Sequence, residues 1–260
     1  MEKNRSTEYK LAFKKYIKDL KESNFKITAS KLRLELQFES LNDWSQVHKL
    51  EYIKKWFLKK RSNPGIKVKI IPLHECKKWS YEKKKGKYFH DSKEFFFVEG
   101  LRIKETQSRE VDYWDQPILT QVGYKGGILG IVRKRFNGIP HYLIEAKLEP
   151  GNYKYVQLSP TLQATFSNLR RAHRGRKPKF MNYFESNKNK KHKILLKKWG
   201  AEDGGRLNRK RNLSMLVEVP ESEKIKITNE FIWMSMWQIK ECLKFDSWIN
   251  PHIRGIISHF

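Results

Sequence analysis

Cysteine is scarce in this chain. Only Cys76 and Cys242 occur, with no paired spacing, which excludes a disulfide framework and a cysteine-based zinc site. Long apolar runs are missing as well. No segment approaches the ~20 apolar residues that span a bilayer, and the opening M-E-K-N-R-S-T-E holds no apolar signal region. A cytoplasmic protein without a membrane partner is expected. The eight histidines form no H-E-x-x-H pair and no tight cluster with carboxylates, so no metal is expected. Gly123, Gly126 and Gly127 precede a strand pattern, not a helix, which excludes a phosphate loop and a dinucleotide fingerprint. Acidic residues are outnumbered, 28 against 55 Lys and Arg, for a net charge of +27.

What is present is a foldable chain. Its 260 residues, 38% of them hydrophobic, suffice for one sizeable core. Aromatics at 13% argue against disorder. The positive charge is concentrated at 169–211, where 16 Lys and Arg face 3 Asp and Glu. Such a stretch attracts a polyanion, and equally a diphosphate.

Residues 1–62 read as a helical segment. Leu11, Phe13, Tyr16, Ile17 and Leu20 recur at helical spacing. Asn42 or Asp43 is the expected cap of a second helix carrying Trp44, Val47, Leu50 and Phe57. Between them Leu32, Leu34, Leu36 and Phe38 alternate, which fits a strand or a helix. Asn63-Pro64-Gly65 ends the region. The texture then changes. Strand patterns occupy 66–70, 95–98, 101–103, 127–136 and 139–148, the last two flanking Asn137-Gly138, a strong hairpin signal. Val156 to Leu158 is short and extended, and Ser159-Pro160 is expected to open a helix reaching about Arg171. A basic connection at 174–192, strands at 194–199 and 213–219, and closing helices at 234–245 and 250–259 complete an α+β chain.

The densest chemistry lies at 109–168. It holds R-E-V-D-Y-W-D-Q-P from Arg109, A-K-L-E-P-G-N from Ala146, and V-Q-L-S-P-T-L-Q-A-T-F-S-N from Val156. Amides and hydroxyls are neutral donors and acceptors of fixed geometry that suit a polar ligand. Trp114 beside Arg109 and Gln116 is a candidate for stacking a flat base, or a core tryptophan. Lys147 and Glu149 alternate with Ala146 and Leu148, so they share a sheet face, as a surface pair or an acid/base pair. Gln157, Thr161, Gln163, Thr165 and Asn168 crowd a strand-to-helix joint whose free amides would favour a diphosphate. His90 precedes an apolar strand, and Arg206, Arg209 and Asn212 follow a glycine turn with solvated charge.

The quoted runs, with W-x-Y-x-K-K-K-G-K-Y-F-H-D-S-K-E-F-F-F-V-E-G from Trp79, E-D-G-G-R from Glu202, N-R-K-R-N from Asn208 and N-P-H-I-R from Asn250, resemble the NDP-hexose 2,3-dehydratase family. The resemblance runs from about Ile66 to the C-terminus and implies one module over 63–260 behind the 1–62 helical segment. It implies a Nudix-like mixed β-sheet flanked by helices. The Nudix acidic helix is absent, since between Glu145 and Gly175 the only carboxylates are Glu145 and Glu149, so magnesium-dependent diphosphate cleavage is not expected. Members of the family typically carry two tandem modules, and a single copy implies a homodimer. The implied substrate is a dTDP-linked 4-keto-6-deoxy-hexose, losing its C2 hydroxyl after removal of the C3 proton, with no cofactor. On this reading Glu149 or His90 transfers protons and Lys147 stabilises the enolate. Gln116, Gln157, Thr161, Gln163, Thr165, Asn168 and Asn212 hold the substrate. Arg109, Arg206, Arg209 and Arg254 meet the diphosphate, and Trp114 the base. The competing readings are a non-catalytic sugar-nucleotide binder and a basic nucleic-acid-binding protein, the second not favoured.

Overall fold

The computed structural model describes residues 2–23, 28–107, 109–169, 177–185 and 191–259. Three helices come first: α1 (Glu2–Glu22), α2 (Lys31–Phe38) and α3 (Leu50–Ser62). The ambiguous Leu32–Phe38 pattern is thus helical, capped by the Ser30 hydroxyl, which accepts from the Arg33 amide. The expected cap at Asn42 or Asp43 is not one. Lys49 precedes α3, while the Asp43 carboxylate accepts from the Ser45 amide at 3.0 Å, Ser235 Oγ at 3.0 Å and Gln238 Nε2 at 3.2 Å.

Two sheets follow. The smaller runs in the order β1 (Trp79–Glu82), β2 (Lys87–His90), β3 (Phe96–Ile103), β4 (Trp114–Gln121) and β10 (Leu207–Asn208). The larger is built on the hairpin of β5 (Gly127–Phe136) and β6 (Ile139–Leu148). Its turn, Asn137-Gly138, has positive φ at both residues, 48° and 77°, as a tight primed turn requires. β12 (Phe231–Met234) pairs with β6, β11 (Arg211–Val219) lies parallel to β5, and β9 (Lys193–Ala201) forms the far edge. The stretch at 66–70 is not a strand. It pairs with nothing among the described residues, and Ile70 is 95% exposed, because alternation alone supplies no hydrogen-bonding neighbour.

The hairpin splays beyond the Val132–Leu143 pair. The start of β5 then pairs with β8 (Leu162–Thr165), and the end of β6 with β7 (Val156–Ser159). The helix expected from Ser159 is therefore a strand at 162–165, followed only by the short α4 (Phe166–Leu169). The expected helix end at 170–171 lies outside the described residues, as does much of the 174–192 connection.

The larger sheet is covered on both faces. Leu129, Ile131, Tyr142 and Ile144 meet Leu36, Ile53, Phe57, Ile239 and Ile253 from the helices, which include α5 (Met236–Cys242) and α6 (Pro251–Ile257). Ile128, Val132, Leu143 and Met215 meet Tyr183, Phe184 and Trp233. Arg133, fully buried, ties α2 to the sheet by donating to Glu35 (3.1 Å), Glu39 (2.5 Å) and Glu218. Among the described residues no helix is long and apolar enough to cross a membrane.

Candidate active site

The fork in the hairpin shapes the site. At the fork the Thr161 hydroxyl accepts from the Val132 amide at 2.9 Å and donates to the Leu143 carbonyl. Its capacity is spent on backbone, so it is not a free ligand group. β7 is held from outside by the segment before α6: the Leu158 amide donates to Trp248 O, and the Asn250 amide to Leu158 O, both at 2.8 Å. Asn250 also caps α6, with Pro251 in its first turn. These contacts place the first turn of α6 beside the ends of β6 and β8.

Between them lie two adjoining hollows of about 490 Å³ and about 290 Å³ that share Glu149, Gln163 and His252. The larger takes in Tyr153, Gln157, Phe245, Asn250 and Arg254. The smaller takes in Thr165, Asn168, Glu202, Lys210 and Asn212. Gln157 is clamped, its amide nitrogen donating to Ser247 O and its oxygen accepting from Asn250 Nδ2, each at 3.2 Å. Gln163 Oε1 and His252 Nδ1 are buried and have no hydrogen-bond partner. Buried polar atoms are normally satisfied, so two such atoms in the walls of one cleft fit a ligand.

The cleft is charged on one side. His252 Nε2 lies 3.5 Å from Glu202 Oε1. Burial pulls the His252 pKa below the usual imidazole value and the nearby Lys147 adds to this, while Glu202 opposes it. The imidazole is thus biased toward the neutral form a base requires. Glu202 also accepts from Asn212 Nδ2. Lys147 Nζ sits 3.7 Å from Glu145 and 3.8 Å from Glu149. Burial raises the Glu145 carboxyl. Among the described residues no three His, Cys, Asp or Glu side chains converge as a metal-binding group.

The structure therefore brings together Glu149, Gln157, Gln163, Thr165, Asn168, Asn212 and Arg254, with Lys147 beside Glu149. It places others elsewhere. His90 sits in the smaller sheet, its Nδ1 2.8 Å from Ser92 Oγ and its ring against Trp79 and Phe95. Trp114 carries Arg109 over its ring at 5.4 Å and donates to Gln116 at 2.8 Å, and Gln116 donates to Gly205 O. This group lines neither hollow. Arg206 and Arg209 are exposed and line neither. Reasoning from sequence passed over Glu202, Lys210, Asn250 and His252. For Lys210 there was a signal: in R-K-R-N strand alternation sets Lys210 and Asn212 on the face opposite Arg209 and Arg211.

Comparison with known proteins bears on this region. A family model described as NDP-hexose 2,3-dehydratase matches residues 50–260. Proteins named dTDP-4-dehydro-6-deoxy-alpha-D-glucopyranose 2,3-dehydratase, from Amycolatopsis orientalis and Saccharopolyspora spinosa, are each 35% identical over 212 and 203 residues. The matches cover 80% and 78% of this chain but 44% and 40% of those proteins, so the chain spans about half the length of the curated relatives it matches. Among solved structures, the Ap4A hydrolase of C. elegans aligns with 50% of this chain and 91% of its own at 8% identity, with a TM-score of 0.31. At that score the likeness decides nothing.

Proposed function

The chain belongs to the NDP-hexose 2,3-dehydratase family, and from that membership we propose that it removes water across C2 and C3 of a dTDP-linked 4-keto-6-deoxy-hexose. The C4 carbonyl acidifies the C3 proton. A base takes that proton, and the resulting enolate expels the C2 hydroxyl. The enol formed tautomerises to a 3,4-diketo-2,6-dideoxy sugar. The sequence of steps loses water and needs no external oxidant or reductant.

One observation carries the reading: within the family-matched region, Glu149 and His252 line the same cleft as two buried polar atoms without partners, Gln163 Oε1 and His252 Nδ1. Glu149 and His252 supply the proton-transfer pair. Lys147 positions Glu149. Gln163, Thr165, Asn168 and Asn212 address the sugar, Arg254 the diphosphate, and Tyr153 or Phe245 the base. His90, Arg109, Trp114, Gln116, Thr161, Arg206 and Arg209 have no role in this assignment.

The proposed unit is 63–260, with 1–62 packed on it through Leu36, Ile53 and Phe57. We further propose that the module works beside a second one, the match covering 44% and 40% of the relatives, and a second copy of this chain is the partner to test. Two free thiols, Cys76 and Cys242, fit a reducing, cytoplasmic setting. The test is incubation with dTDP-4-keto-6-deoxyglucose, followed by detection of dTDP release or trapping of the diketo product with a 3-ketoreductase. Loss of water is expected. Tight dTDP binding with the keto-sugar returned unchanged would leave a non-catalytic binder. Binding of oligonucleotides in place of dTDP, with a steep salt dependence, would instead favour the nucleic-acid reading.

A further inference from the structure

The proposed reaction places a negative charge on the C4 oxygen, which a cation or well-placed hydrogen-bond donors must stabilise. Lys147, the ammonium that sequence reasoning assigned, already lies between two carboxylates. Lys210 is different. It is only 9% exposed and lines the smaller hollow with Glu149, Gln163 and His252. Its Nζ donates to Gln121 Oε1 at 2.5 Å and lies 5.6 Å from the Phe96 ring centre. Among the described residues no carboxylate comes within 4 Å of it. Gln121 Oε1 is itself shared, accepting from the Gly126 amide at 3.0 Å. An ammonium has three donors, and taking one out of water without an anion is costly unless a ligand supplies the charge. Its neighbour Arg209 adopts a left-handed φ of 49°, a conformation that is unfavourable for a side chain of that size.

Resting on the dehydratase reading, we propose that Lys210 is the catalytic cation that holds the C4 oxygen as the C3 proton leaves. The C3–H bond breaks and its electron pair forms the C3–C4 π bond. The carbonyl π pair moves onto O4, which takes a hydrogen bond from the Lys210 ammonium. The O4 pair then re-forms the C4–O π bond, the C3–C4 π pair becomes the C2–C3 π bond, and the C2–O bond breaks, the hydroxide leaving as water with a proton from the acid of the Glu149–His252 pair. Burial pulls the Lys210 pKa below the ordinary lysine value, with Glu202 opposing. That shift makes the ammonium a stronger hydrogen-bond donor toward O4. A diphosphate is the alternative anion, but it is held permanently and suits the exposed Arg254.

The test compares Lys210→Met with the unaltered protein in three measurements: kcat, exchange of the C3 proton with deuterated solvent, and dTDP affinity. Loss of kcat by roughly 10²-fold or more is expected, with exchange lost in parallel and dTDP affinity within about threefold. Lys210→Arg keeps the charge and should retain more activity than Lys210→Met. Lys210→Gln serves as the neutral variant should the methionine fail to fold. A neutral variant that folds and keeps kcat within about threefold overturns the assignment, as does one that loses dTDP affinity while kcat is kept. If the unaltered protein neither eliminates water nor exchanges the C3 proton, the dehydratase reading itself falls, and the assignment with it.

Discussion

His141 shows how a single buried side chain sets a pH window. It sits in β6 with no exposed surface, its Nδ1 3.0 Å from Ile139 O and its Nε2 3.2 Å from the Gln46 amide. The amide must donate, so Nε2 is unprotonated and the ring neutral. Burial pushes its pKa down to about 4. The unfolded imidazole titrates near 6.5, so its contribution is complete above about pH 6.5 and is lost as pH falls through 4. The size is on the order of 3 kcal/mol. Urea midpoints measured at pH 7 and pH 4.5 should fall more for the unaltered protein than for His141→Gln, and equal falls would refute this. In the cleft the corresponding residue is Glu149. Glu149→Gln is expected to cut kcat by roughly 10² to 10⁴ while sparing dTDP affinity, and full activity in that variant sinks its role.

At the scale of elements, the site depends on β8, which delivers Gln163 and Thr165. Its pairing with β5 needs Gly127, where a Cβ would stand 2.5 Å from Ala164 O and 2.9 Å from Thr165 Cα. Gly127→Ala should displace β8, destabilise the fold by about 1–3 kcal/mol and weaken dTDP binding. Gly200→Ala on β9, where a Cβ meets nothing within 4 Å, is the control. Unchanged melting temperature and affinity in Gly127→Ala would show that β8 tolerates the methyl. The same element marks what local reasoning misses. Ser159-Pro160 is good helix-opening chemistry, yet 162–165 is a strand because β5, some thirty residues earlier, offers unpaired backbone. The Asn137-Gly138 hairpin was legible because its turn is decided within four residues.

For the whole molecule, the pairing of two chains is measurable by sedimentation at low and physiological salt. A dimer is expected, persisting at physiological salt despite a charge of +27 per chain. A fully active monomer would remove the pairing proposal and leave the site self-sufficient. The described part of the basic 169–211 stretch includes the edge strand β9, whose Trp199 ring carries Arg211 of β11 over it at 4.7 Å. Among the described basic residues of that stretch, Lys210 is the buried one.

The order of the chain by itself determined the α+β class, the hairpin, the strands at 194–199 and 213–219, the closing helices and the family, because periodicity, turn residues and contiguous motifs are properties of neighbours in sequence. It also placed Glu149, Gln157, Gln163, Thr165, Asn168, Asn212 and Arg254 among the candidates, since they stand in those motifs. Only the tertiary structure decided which candidates meet. The fork in the hairpin spends Thr161 on backbone, the smaller sheet carries His90 and Trp114 away, and the docking of α6 on β7 brings His252 to Glu149 across about a hundred residues. Burial in the folded chain then separates Lys210 from the many lysines that face water.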